Sequence, residues 1–227
     1  MTHEFWGEDL TGALFRDVNL TDATITHAWL VNVQIDALVD RLVINGVDVT
    51  AFVNERDPWY PLRTMLRPTS PADMRTAWSA LDAEWHTAID MVRARPEAAA
   101  HAQLNGEFSF VQTLRHLVFA DDKWFTVPVL GEPFHPSGLP NTGSLDFPFP
   151  GLDHTASPTF AAALAVFDDR RTKVRAFLDT ITEADFDRPV DVLENGEHPL
   201  QECIYTLLEE GFWHLRYALR DLQSTEA

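Results

Sequence analysis

Apolar residues at helical spacing recur in four separate stretches of the chain, and this recurrence limits the fold more than any other feature. In ADMRTAWSALDAEWHTAIDMVRA, Trp78, Leu81, Trp85 and Ile89 fall on one face of a helix that opens at Ser70-Pro71, where proline suits a first-turn position. FSFVQTLRHLVFADDKWF is the core of a second helix, predicted from about Glu107 to about Phe125. A third begins at the Ser157-Pro158 signal and runs through AVFDDRRTKVRAFL. Pro199 opens the fourth, whose apolar stripe is Ile204, Leu208, Phe212, Leu215, Leu219 and Leu222. Between the second and third helices, residues 126–158 hold prolines at 128, 133, 136, 140, 148, 150 and 158. Irregular segments of that length inside a compact domain are usually lids or disordered. Thr182 with Asp185 predicts a capped short turn, and Asn195-Gly196 a tight one. The fold class that follows is mainly α, with a four-helix bundle over residues 71–227.

The first forty residues follow a different period. Phe5, Leu10, Phe15, Leu20, Ile25, Leu30 and Ile35 recur at every fifth position, and Ala13, Val18, Ala23, Ala28 and Val33 each precede one of them by two. This spacing resembles the pentapeptide-repeat family, which stacks four pentapeptides per square coil with the large central residue inward. Seven units make fewer than two coils, so a short repeat-like β segment of this kind is expected to lean on the rest of the protein as a flap or cap. The other reading, an acidic DNA-mimicking rod that inhibits gyrase, requires a longer stack. After it, LVINGVDV sets Asn45-Gly46 between two β-branched runs and predicts a two-residue hairpin. NERDPWYPLRTMLRPTSP is proline-rich and reads as a linker. The predicted organisation is therefore 1–53 repeat-like segment and hairpin, 54–70 linker and 71–227 bundle.

Charge narrows the partners. Thirty-five acidic against seventeen basic side chains give a formal charge of -18, which repels phosphate backbones and anionic membrane surfaces. A nucleic-acid or membrane partner is not expected, and a small-molecule substrate is. MTHEFWGEDL has neither the basic nor the apolar region of an export signal, and no run of eighteen apolar residues occurs, so a cytoplasmic location is expected. Cys203 is the only cysteine, which excludes a cysteine-rich zinc site and leaves any metal to histidine and carboxylate. P-loop, HExxH, GxSxG and dinucleotide-binding glycine motifs are absent.

The candidate chemistry lies on the helices' polar faces. In EEGFWHLRYALRDL, Glu210 and His214 are one turn apart, with Tyr217 and Asp221 continuing the row opposite the leucine stripe. Residues four apart project to one face and can share an ion, yet a solvated surface helix shows the same pattern. His116 lies off the stripe of the second helix, where a surface or locally bonded histidine is the simple reading, yet Phe119 and Ala120 adjoin it, which leaves open a helix packed on two sides. His135, between Phe134 and Pro136 in a proline-stiffened loop, is open to three readings: ligand, general base or plain loop residue.

FVQTLRHLVFADDKWF, GEPFHPSGLP and EEGFWHLRYALRDL in combination resemble the DinB-like superfamily, in the branch where a short pentapeptide-like segment precedes the bundle. The resemblance implies a DinB-like four-helix bundle and a divalent metal, zinc or nickel, held by one histidine of the second helix and an H-x-x-x-H pair of the last. It also implies a low-molecular-weight thiol such as mycothiol, since relatives include bacillithiol transferases and mycothiol-dependent maleylpyruvate isomerases. By position, His116 and His214 match two of the three ligands. The third departs from the pattern, because position 218 is Ala and position 210 is Glu, leaving Glu210 or His135 to complete the set. The function expected on this basis is a metal-dependent thiol transferase or hydrolase, with Tyr217 or Asp221 orienting a ligand or shuttling a proton. The alternative is a non-catalytic binding module with a degenerate metal site. A homodimer formed through a bundle face is expected in either case.

Overall fold

The computed structural model describes residues 4–15, 18–104, 106–141 and 149–224, so the part of the proline-rich segment over 142–148 lies outside the described residues. Contacts divide the chain into Met1–Val39 and Asp40–Ala227. In the first unit the five-residue period is carried by the backbone. Positive φ recurs at Gly7, Gly12, Asp22, His27 and Asn32. Side chains of Asp9 and Asn19 accept hydrogen bonds from the amides of Thr11 and Thr21 at 3.0 and 2.9 Å, closing the same turn twice. The large residues of the period, Phe5, Leu10, Phe15, Leu20, Ile25, Leu30 and Ile35, are exposed, whereas the resemblance to pentapeptide repeats implied that they point inward.

The second unit begins with the hairpin β1 (Val43–Ile44) and β2 (Val47–Asp48), paired antiparallel with Ile44 opposite Val47. Asn45 and Gly46 both take positive φ, as a type I′ turn requires. A short helix α1 (Thr50–Arg56) runs into the stretch read as a linker, which carries a second, α2 (Tyr60–Arg63). Leu62 and Leu66 are buried, Trp59 meets Phe212 edge-on, and the Tyr205 hydroxyl donates to the Pro68 carbonyl at 2.8 Å. Proline there sets the turns of a segment that packs onto the bundle, which composition alone does not distinguish from a free linker.

Four long elements form that bundle. Helix α3 (Pro71–Arg93) starts where Ser70 accepts the Asp73 amide, with Pro71 in the first turn. After the short α4 (Glu97–Ala100), α5 (Phe110–Asp121) begins at a capping box between Ser109 and Gln112, three residues later than predicted. It passes into a π-helical turn, Asp122–Thr126, and then α6 (Val127–Leu130), which ends at Gly131 in the left-handed region. Helix α7 (Phe160–Leu178) is capped by Thr159 instead of Ser157. The capped turn at Thr182–Asp185 and the β3 (Pro189–Asp191)–β4 (Glu197–Pro199) hairpin lead into α8 (Leu200–Ser224). Helices α3 and α5 each pack against both α7 and α8. Trp78, Trp85, Phe125, Phe167 and Phe212 fill the interior, with Trp85 tilted against Phe167 at 5.4 Å. The architecture is mainly α, and among the described residues no helix is long and apolar enough to cross a membrane.

Charge is buried with the aromatics. Asp82 of α3 pairs with Arg171 and Arg175 of α7. Asp122 takes Arg170 at 2.7 Å. Asp121, beside it, is 3% exposed and its Oδ2 has no hydrogen-bond partner. Burial pushes the Asp121 carboxyl up to about 7, with Asp122 and Asp82 adding to the shift and Arg171 and Arg170 opposing it. A folded-state value above the ordinary 3.8 means that Asp121 contributes its full stabilisation below that pH and loses it as pH rises through about 7. Asp121→Asn, which stays neutral, is therefore expected to gain on the wild type between about pH 4 and pH 7, by at most about 1.4 kcal/mol per pH unit, and to gain nothing further above that. Urea unfolding of chelator-treated protein across that range measures it, and a stability difference independent of pH contradicts it.

Candidate metal centre

Helix α5 is buried along nearly its whole length, so His116 is not a surface histidine. Its ring packs 5.5 Å from Phe108 and 6.2 Å from Phe119, which in turn stacks on Phe134 and meets Phe149 edge-on. Water is kept from that side. Nδ1 of His116 lies 2.9 Å from the carbonyl oxygen of Leu139. A carbonyl only accepts, so Nδ1 carries a proton, and the neutral ring then has its lone pair on Nε2, the tautomer a metal ligand needs.

Nε2 points at α8. There Glu210 and His214 stand one turn apart, in a helix drawn close to α3 because Gly211 has no side chain. A Cβ at Gly211 would come within 2.8 Å of Leu81 Cδ2, and the Gly211 carbonyl accepts from Trp85 Nε1 at 3.1 Å. Glu210 Oε2 lies 3.5 Å from His116 Nε2 and 3.3 Å from His214 Nε2, and the two imidazole rings are 4.6 Å apart. One ligand atom from each of the three residues falls within 4.8 Å of the other two. Among the described residues no other set of three His, Cys, Asp or Glu converges in this way.

These separations suit an ion better than a direct contact. Charge-assisted N–H···O bonds run to about 2.7–2.9 Å, shorter than either distance here. Zinc–nitrogen and zinc–oxygen bonds of about 2.0–2.2 Å arranged tetrahedrally put neighbouring ligand atoms about 3.3–3.5 Å apart. Electrostatics agrees in sign. Burial acts to raise the Glu210 carboxyl, and the neighbouring His116 and His214 imidazoles outweigh it and hold the group well below the usual carboxylate range. Side-chain exposure is 4% at His116, 19% at His214 and 32% at Glu210, so solvent reaches the cluster from the α8 side.

The remaining sequence candidates fall outside this cluster. His135 is not among the converging ligands: its Nδ1 accepts the Ser137 amide at 3.2 Å and lies 2.8 Å from the Ser137 hydroxyl. Burial, and then the Arg170 charge, lower its imidazole below the ordinary value. Tyr217 stands edge-on to the His214 ring at 6.0 Å. The Asp221 carboxylate is paired with Arg220 at 2.7 Å. Ala218, the other position at which an H-x-x-x-H partner was sought, is buried in the core. The partner of His214 is therefore the carboxylate four residues before it. Sequence reasoning missed the Leu139 carbonyl, a backbone group with no residue-type signature.

Fold and cluster together define a helical bundle with a candidate metal centre in which two imidazoles and one carboxylate bridge α5 and α8. The sequence model of the DinB superfamily matches residues 80–218, more than half of the chain and a span that includes all three candidate ligands. The chain belongs to the DinB superfamily. No curated protein and no solved structure matches it.

Zinc titration by calorimetry checks the cluster. Wild-type protein is expected to bind one ion per chain. His116→Ala, Glu210→Ala and His214→Ala should each weaken binding by more than about 100-fold, beyond the loss typical of an outer-shell partner. Glu210→His should retain binding, and His135→Ala and Asp221→Asn should leave it unchanged. Loss of binding in His135→Ala would show that a different set of ligands holds the ion.

Proposed function

We propose that this protein is a divalent-metal-dependent enzyme of the thiol-transferase or hydrolase type, using zinc or nickel held by His116, His214 and Glu210. The observation that carries this is the convergence of those three ligand atoms on one point, reachable from solvent on the Glu210 and His214 side. A divalent ion with an open position lowers the pKa of a bound thiol or water and supplies a nucleophile at neutral pH. The chain's own residues do the rest. His116, fixed by Leu139, seals the inner side, and the Phe108 and Phe119 rings exclude water there. Glu210 offers one negative charge to the centre, where a third histidine would offer none.

A thiol substrate comes from outside. Cys203 is buried and free, and burial pushes its thiol up to about 11, so it supplies no thiolate at neutral pH. A small-molecule thiol of the mycothiol class fits that requirement. Tyr217, beside His214, is the residue placed to orient such a substrate or pass it a proton, whereas the ion pair with Arg220 occupies Asp221. A cytoplasmic location, a homodimer and a pentapeptide-repeat-like segment followed by a hairpin over residues 1–53 belong to the same proposal.

Cobalt-loaded protein titrated with a low-molecular-weight thiol should develop thiolate-to-cobalt charge-transfer absorption, and zinc-loaded protein should transfer that thiol to an activated aryl halide. Tyr217→Phe should lower turnover by about 100-fold while leaving metal affinity unchanged. Hydrolysis of a nitrophenyl ester without any thiol requirement would select the hydrolase type. Metal binding with neither activity contradicts the enzyme assignment and leaves a binding module.

A further inference from the structure

We propose that the buried Asp122–Arg170 pair is a positioning element for the metal centre, acting on His116 through the backbone of residues 135–139. The inference rests on the metal assignment above. It starts from a side chain with no role in ligation: Asp122, in the π-helical turn that continues α5, is wholly buried. Its Oδ1 accepts Arg170 Nε at 2.7 Å, and its Oδ2 accepts the backbone amide of His135 at 2.7 Å and lies 3.5 Å from the second Arg170 nitrogen. Arg170 is itself steadied by Asp169 at 2.7 Å. The pair thus bridges α5 and α7 and spends one of its oxygens on a loop amide.

From that amide the loop is tied down at every second residue. Arg115 Nε donates to the Ser137 carbonyl at 2.8 Å, the Leu139 amide donates to the Arg115 carbonyl at 3.0 Å, and His116 Nδ1 donates to the Leu139 carbonyl at 2.9 Å. Between these ties little can relax. Pro136 and Pro140 fix φ next to the first and last anchors. Gly138 sits where a Cβ would meet Leu152 at 3.1 Å, the His135 carbonyl at 3.3 Å and Phe119 at 3.5 Å, so the loop is pressed onto α5 with no slack. A shift at the His135 amide therefore passes to the Leu139 carbonyl, which sets the tautomer and ring angle of His116. Partners of this kind, one bond removed from a ligand, typically change metal affinity by about 10–100-fold when altered. This also assigns His135 a use that its ring does not show: the chain recruits its backbone amide.

A purely structural ion pair makes a different prediction, and the molecule contains its own control. Asp82 is also buried, yet among the described residues its carboxylate bonds the α7 arginines Arg171 and Arg175 and not the 135–139 loop. The experiment is cobalt affinity and the cobalt ligand-field spectrum for wild type, Asp122→Asn, Arg170→Lys and Asp82→Asn, each with a thermal melt of the metal-free protein. Asp122→Asn and Arg170→Lys should weaken cobalt binding by about 10–100-fold and shift the ligand-field bands, while Asp82→Asn lowers Tm but leaves affinity and bands at the wild-type values. Arg170→Lys keeps the charge and serves if Asp122→Asn does not fold. Wild-type affinity and spectrum in both Asp122→Asn and Arg170→Lys would overturn the positioning role, as would an equal loss in Asp82→Asn. Wild-type protein that binds no cobalt would overturn the metal assignment and this role with it.

Discussion

Helix α5 threads the bundle with polar side chains buried on a helix that water scarcely reaches, and matching those groups shapes much of what surrounds it. Arg115, His116, Asp121, Asp122 and Lys123 are each at most 6% exposed. A buried polar group left without a partner costs on the order of 1–3 kcal/mol, and a lone buried charge costs more. The chain answers with partners from other elements. The loop offers carbonyls to Arg115 and His116, α7 offers Arg170 to Asp122, Glu194 meets Lys123 at 2.6 Å, and α8 brings Glu210 to His116. Asp121 is the member least well matched, and its carboxyl is the one burial pushes towards neutrality.

The candidate metal centre is the point where this demand meets a second helix. Glu210 and His214 would be an ordinary polar row on α8 if α5 offered only apolar side chains there. With His116 facing them, three ligand atoms close on one point, and the carboxylate supplies the charge that three imidazoles would lack. Relative to an all-histidine set, one anionic ligand strengthens the hold on a divalent cation and reduces the positive charge left to polarise a bound thiol or water. Ala218, one turn beyond His214 on the same helix, offers no ligand atom. It is buried in the core, and the converging ligand atoms on this helix are those of 210 and 214.

Local signals carried most of the helices and turns. Ser70-Pro71, Asn45-Gly46, Thr182 with Asp185 and the leucine stripe of α8 act over a few residues and are readable in sequence. Segments that pack through distant partners were not. The proline-rich stretch 54–70 holds Leu62 and Leu66 in the core, and nothing within it shows which surface they meet. His116 and the Glu210–His214 row were legible as candidates, but whether they converge depends on how α5 lies against α8. His135 was open to several readings because a stiff loop histidine resembles a ligand, and its ring meets Ser137 while its amide donates to Asp122. Asp122–Arg170 and Leu139 had no local signature, being a pair 48 residues apart and a backbone carbonyl.

The central claim is that His116, Glu210 and His214 together hold one divalent ion. Anomalous scattering at the zinc edge from crystals of zinc-loaded protein tests it most directly. The account predicts a single strong peak about 2.0–2.2 Å from His116 Nε2, His214 Nε2 and a Glu210 carboxylate oxygen, with His116 Nδ1 still bonded to Leu139. A peak ligated by His135, or no peak between α5 and α8 at saturating zinc, would contradict it.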